Sequence, residues 1–197
     1  MNLFQSANGA ATFLVLGATG FGTANAIKAT NEPIVELAME NPSLPLLIFF
    51  LIAFKIKTAL DDHKHFGEPY QFKTIFRYIG FFLAFFSWFF MALSGYFIGS
   101  PLRATELLGY ALAISTLWVF VHLMEIWRAK ERPSTELIIS LIREKWVVVN
   151  ILYILCIITY SGWLSPIIES ENWYLLASML VILLFDVVTS RSFKNIS

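Results

Sequence analysis

Four places in this sequence combine reactive residue types with suggestive spacing. Asp61-Asp62-His63-Lys64-His65 is a short run of carboxylates and imidazoles closing an apolar stretch. His122 and Glu125 stand three apart, so on a helix they share a face. Asn150 and Asp186 are polar interruptions of otherwise apolar runs, the second inside Leu-Leu-Phe-Asp-Val-Val. Ionisable groups in such runs are costly to leave unpaired in lipid, which makes them functional candidates. Two chemistries compete for them. In one, His63, His65 and His122 join carboxylates as ligands of a divalent metal, since imidazole and carboxylate suit zinc, iron or manganese. In the other, the same groups cap helices and pair with Arg128, Lys130, Lys145 or Arg191, which requires no special geometry and is the simpler expectation. A proton or ion path is a third use of the same residues. His122, Glu125, Asn150 and Asp186 are expected to form one connected cluster, because all four fall at a similar depth near the ends of apolar segments.

Other chemistries lack their signatures. Asp61-Asp62 is a single pair without the repeats of aspartate-rich prenyl-transferring enzymes, and the several histidine boxes of desaturases are missing. There is no Gly-rich phosphate loop and no G-x-S-x-G elbow. Ser94 and Ser161, each followed by glycine, fall at the segment ends opposite all three histidines, which argues against a Ser–His dyad. The lone Cys156 rules out an intramolecular disulfide and any site built from several thiolates. No motif names a cofactor. No basic domain or long basic run points to nucleic acid.

The elements that must position these residues are apolar. The 197 residues are 57% hydrophobic and only 14% charged, against roughly 25% charge in an average soluble domain. That pattern predicts an all-α polytopic membrane protein, a single domain over 1–197 built as a bundle of five or six transmembrane helices. The expected helices are about 10–27, 43–60, 78–99, 105–127, 146–164 and 172–190. Of the 14 Lys and Arg residues, 12 lie in 55–77, 128–145 and 191–194. By the positive-inside bias these stretches face the cytoplasm, which closes the alternation and places the C-terminus there too. Trp127, Trp146, Trp163 and Trp173 fall at segment ends, where interfacial aromatic belts form.

Individual segments carry further expectations. Segment 10–27 is rich in small residues, with Ala18 and Gly22 four apart, and suits close helix packing. Its weak hydrophobicity leaves open whether it crosses; without it the count is five. Ala24-Asn25-Ala26 resembles a cleavage site, but the first nine residues hold no Lys or Arg, so a retained helix is expected. Residues 28–42 place Glu32, Glu36 and Glu40 on one face of a short amphipathic helix at the outer surface. The core of segment two, Leu44–Phe54, spans 11 residues. That is about 16 Å of helix against ~30 Å of hydrocarbon, so Lys55 and Lys57 are expected to snorkel. The phenylalanine stripe of 78–99 reads as lipid-facing or packing surface.

Residues 66–77 and 134–146 read as amphipathic segments on the inner leaflet. Asp61, Asp62, His63, His65, Arg128, Lys130 and Arg132 are the expected cytoplasmic interface, where a protein partner would dock. The leading expectation is a non-enzymatic inner-membrane subunit, a homo-oligomer in the lipid bilayer. It would form an ion-conducting channel or membrane-sensing assembly, of the size and topology of small membrane subunits in bacterial defence-type multi-component systems. A small-solute transporter and a metal-dependent membrane enzyme acting at the inner leaflet are the alternatives. The first is disfavoured by the lack of an internal repeat.

Overall fold

A computed structural model describes residues 3–65, 74–128, 134–161 and 173–190, with side chains placed for all of these except 3, 34, 62–65, 126, 134–144 and 190. Seven helices account for nearly all of them: α1 (Leu3–Thr30), α2 (Ile34–Glu40), α3 (Ser43–His65), α4 (Ile75–Tyr96), α5 (Pro101–Arg128), α6 (Ser134–Tyr160) and α7 (Trp173–Ser190). No strand occurs among the described residues. Within the longer helices, Phe4–Thr30, Ser43–Asp61, Ile75–Tyr96 and Pro101–Glu125 are long and apolar enough to cross a membrane. Lys145–Tyr160 and Trp173–Thr189 are shorter apolar helices.

The helix ends follow from local chemistry. Asn31 adopts the left-handed conformation at φ 56° and returns its N–H to Ile27, closing α1. The segment between α1 and α3 forms the short helix α2, with Glu36 and Glu40 exposed and Glu32 half-buried just before it. Thr74 caps α4 by accepting the Arg77 N–H. Phe97–Ser100 then turn the chain back, and Pro101 opens α5 at the helical position where its missing N–H costs nothing. In α6, helix runs unbroken from Ser134, so the stretch read as an inner-leaflet segment is continuous with the apolar helix that follows.

The six long helices close into a ring, with neighbours in the order α1, α4, α5, α6, α7, α3 and back to α1. Helix α3 also touches α4 and α5 across the ring, so its side chains supply the centre. Leu44, Leu47, Phe50, Leu51 and Phe54 from α3 pack against Leu108 and Leu112 of α5, Tyr153 of α6 and Met179 and Leu183 of α7. Phe50 and Phe54 both meet the Tyr153 ring edge-on, at 5.3 and 5.7 Å.

Two kinds of contact explain how α1 and α5 flank α4 so closely. A Cβ at Gly22 would overlap the carbonyl oxygens of Gly95 and Tyr96, and one at Gly95 would overlap Thr19. The small-residue face of α1 is therefore a backbone-to-backbone contact with α4. On the α5 side, Ser87 and Ser94 donate to the Ala111 and Ala104 carbonyls at 2.8 and 2.6 Å. Helix α4 thus buries Gly80, Ala84, Ser87, Met91, Ser94 and Gly95, and its phenylalanines Phe82, Phe85, Phe86 and Phe89 stand outward.

Candidate functional site

The 3- and 4-residue spacing that builds the apolar core does not stop where the apolar residues do. On α3 the inward positions Leu47, Phe50 and Phe54 continue to Lys57 and Asp61. On α7 the series Leu176, Met179 and Leu183 continues to Asp186. On α6 the inward face runs Trp146, Val149, Asn150 and Tyr153. Three helices therefore deliver charged or polar side chains to the same end of the bundle interior, directly beyond the aromatic plug.

Lys57 is the hub. Its ammonium lies 2.7 Å from Asp61 Oδ2 and also pairs with Asp186 Oδ2. Asp186 is 1% exposed and Lys57 3%. The other oxygen of Asp186 accepts Lys145 Nζ at 3.0 Å, and Lys145 also donates to the Thr189 hydroxyl one turn along α7. Two carboxylates and two ammoniums thus make a neutral quartet linking α3, α6 and α7. Neutrality matters here, because an unpaired buried charge costs several kcal/mol. The Lys57 ammonium also sits 5.5 Å from the centre of the Trp146 ring.

A cleft of about 40 Å³ borders the quartet. Lys57, Thr58 and Asp61 of α3 line it with Ser115, Trp118 and Val119 of α5, Trp146, Val149 and Asn150 of α6, and Asp186. Asn150 donates to the Ser115 hydroxyl at 3.2 Å across the α5–α6 contact. The volume holds one to a few waters.

A second polar cluster ties α4 to α5. Glu125 accepts from Thr74 at 2.9 Å and from Arg77 Nε at 3.1 Å, and its Oε2 lies 3.8 Å from His122 Nδ1. His122 is buried and packs edge-on against Trp118 at 5.7 Å. A third feature joins α1 to α3. The Lys55 ammonium donates to Asn8 Oδ1 at 2.7 Å and lies 5.0 Å from the Trp88 ring centre. Phe4 packs against both Trp88 and Trp118 at 5.6 and 6.0 Å, which seals the α1 side of this end.

The expected four-residue cluster is therefore divided. Asp186 and Asn150 share the cleft, while His122 and Glu125 belong to the α4–α5 cluster, with Trp118 between them touching both. The partners Lys57, Asp61 and Lys145 complete the quartet. Lys145 was among the expected pairing cations, but Lys57 and Asp61 were placed elsewhere: Lys57 as a snorkelling group and Asp61 on the cytoplasmic interface. Both are buried, as is Lys55, because the ring of helices provides partners that a lone helix in lipid lacks. Trp146, read as part of an interfacial belt, is also buried, whereas Trp127 and Trp173 are exposed. The continuing inward register of α3 was the sequence signal for Lys57 and Asp61.

Arg128 is exposed, with its guanidinium 5.4 Å from the Phe76 ring centre. The side chains of Asp62, His63 and His65, and all of Lys130, Arg132 and Trp163, lie outside the described residues. Among the described residues no three His, Cys, Asp or Glu side chains gather as a metal site.

No family model matches the chain, and no curated protein or solved structure matches it at a significant level.

Proposed function

We propose that the chain is a non-enzymatic, polytopic inner-membrane subunit that handles ions, with the quartet end of the bundle facing the cytoplasm. The observation that carries this reading is the buried Lys57–Asp61–Asp186–Lys145 quartet beside a polar cleft, in a bundle of apolar, membrane-length helices. Intramembrane charges of this kind are expensive, and a chain retains them at ion and proton pathways. The orientation rests on the positive-inside bias of the basic stretches 55–77, 128–145 and 191–194, which adjoin the ends of α3, α5 and α7 and the starts of α4 and α6 in sequence. Phe50, Phe54 and Tyr153 pack against one another in the bundle interior next to the quartet, so this reading has no open path along the bundle axis to draw on. Conduction then requires either a shift of α3 against α6 and α7 or assembly with further copies.

Reconstitution in liposomes tests the reading. Purified protein should dissipate an imposed potassium, sodium or proton gradient, and Asp186→Asn should abolish that flux while the protein remains folded. Absence of flux under every gradient would remove ion conduction.

A second reading has its own support. Each pair in the quartet joins different helices except Lys57–Asp61, so the network equally serves as a clamp on α3, α6 and α7. In that case Asp186→Asn changes stability and leaves no flux to lose.

A further inference from the structure

One seam of the ring carries the same pair of residue types at both ends. At one end of the α4–α5 contact, the Arg128 guanidinium lies 5.4 Å from the Phe76 ring centre. At the other end, the Arg103 guanidinium lies 4.1 Å from the Phe97 ring centre. Each arginine belongs to α5, and each phenylalanine to α4 or its C-cap. Both arginines are exposed. They stand 25 residues apart on one unbroken helix. That interval is close to seven full turns, so both fall on the side of α5 that borders α4. It is also about 37 Å of rise. A hydrocarbon core of roughly 30 Å fits between them, which brings each guanidinium to the headgroup level of its own leaflet.

No carboxylate occupies either guanidinium. Among the described residues neither Arg103 nor Arg128 forms an ion pair. Glu125, one turn from Arg128, is held by Arg77 and Thr74. Glu106, one turn from Arg103, is not paired with it. The aromatic face attracts the cation and orients it, but supplies no oxygen to its fork of N–H donors.

Between the two pairs the seam is apolar. Ile79 and Phe86 of α4 and Leu117 of α5 are exposed along it, and Phe90 meets Tyr110 across it at 5.8 Å. Phe76, Ile79, Phe86, Phe90 and Phe97 follow one another by three, four or seven residues, so they form one stripe. Leu117 stands three turns from Arg128 on the same side of α5. A phospholipid has this pattern, a phosphate at the headgroup level and acyl chains along the helix axis.

We propose that the α4–α5 seam binds acidic phospholipids, one in each leaflet, with the phosphate on Arg128 or Arg103 and an acyl chain along the seam. The planar guanidinium engages phosphate oxygens in pairs, which a point charge cannot do. An acidic headgroup is preferred because the cation at each end is not already neutralised by a carboxylate. The inference rests on α4 and α5 spanning a membrane and not on ion handling.

The test uses the full-length protein in detergent, stripped of lipid and titrated with phosphatidylglycerol or phosphatidylcholine. Native mass spectrometry counts the lipid retained. The wild type should keep two molecules of phosphatidylglycerol under conditions that remove phosphatidylcholine. Arg128→Gln and Arg103→Gln should each lose one of them, with retention several-fold weaker, and the double variant should lose both. Arg128→Lys and Arg103→Lys keep the charge without the fork and should fall between glutamine and wild type. Lys28→Gln removes an exposed cation away from the seam and should keep both lipids. Equal retention by wild type and the double glutamine variant overturns the proposal. So does equal loss in Lys28→Gln, which would mean that overall charge alone attracts the lipid. Displacement by millimolar inorganic phosphate would leave an anion site and remove the lipid. Where a glutamine variant unfolds in detergent, the lysine variant at the same position reports in its place. Retention is read without transport, so absence of ion flux leaves the site standing.

Discussion

At the scale of single residues, a buried ammonium shared by two carboxylates makes a definite demand. Among the described residues, removing Asp186 leaves Lys57 with one carboxylate and Lys145 with only the Thr189 hydroxyl. Asp186→Ala should therefore destabilise the protein by about 3–5 kcal/mol, the range for breaking a buried pair, as read by unfolding in detergent. Glu125→Ala should cost less, since Glu125 and Arg77 are partly exposed and water replaces what is lost. Lys57→Leu should also be strongly destabilising, because it removes the ammonium from buried Asp61 and one of the two ammoniums from Asp186. That reverses the outcome expected of a snorkelling lysine, which leucine would replace without penalty. A double variant, Lys57→Met with Asp186→Leu, should cost less than the sum of the single changes, since the two sites are in contact. Additive costs would show that the pair is not coupled.

At the scale of elements, α1 divides its glycines between two environments. Gly22 touches the α4 backbone, whereas Gly9, Gly17 and Gly20 have open space where a Cβ would stand. Gly22→Leu should push α1 off α4 and lower stability by about 1–3 kcal/mol, the usual cost of overpacking. Gly17→Leu should leave stability unchanged or improve it, because a glycine inside a helix costs up to about 1 kcal/mol against a better helix former. Thermal unfolding of the two variants side by side checks the contrast; equal loss in both would mean that α1 does not pack on α4 through Gly22. Leu47 belongs to the same argument. It faces the centre of the ring and not lipid, so Leu47→Lys should fail by burying an unpaired charge among Phe50, Leu51 and their neighbours.

At the scale of the whole molecule, the closed ring brings the start of α1, α4 and α6 and the end of α3, α5 and α7 to one side. That alternation agrees with the described basic residues Lys55, Lys57, Arg77, Arg128 and Lys145, which lie toward the same end. In a background with Cys156 replaced, cysteines introduced at Lys73, Glu131 and Lys194 should resist an impermeant thiol reagent in intact cells, and one at Glu169 should react. Labelling at Lys73 or Glu131 from outside would invert the orientation and place the quartet on the opposite face. The outward phenylalanines of α4 and the outward Val181, Leu184, Phe185 and Val188 of α7 fit a surface covered by lipid, since water would not tolerate so continuous an apolar band.

What was legible in the sequence was whatever depends on composition and local spacing. The long apolar runs located the six long helices, because a 3.6-residue period and a span's length are local properties, but not all their ends: α1 begins at Leu3 and α6 at Ser134, well before the apolar runs at 10 and 146. The polar groups at one end, Asp186, Asn150, His122 and Glu125, stood out for the same reason: each interrupts or closes an apolar run. Which of them meet was decided only by the order of helices around the ring. With α7 between α6 and α3, Asp186 falls between Lys145 and Lys57; with α4 beside α5, Glu125 falls to Arg77 and Thr74. Helix order depends on the fit of entire faces, such as Gly22 against Gly95 and Phe50 against Tyr153. A lysine that would reach for the interface from an isolated helix turns inward when two neighbouring helices offer it carboxylates. That choice is made by tertiary contacts, and no window of sequence contains it.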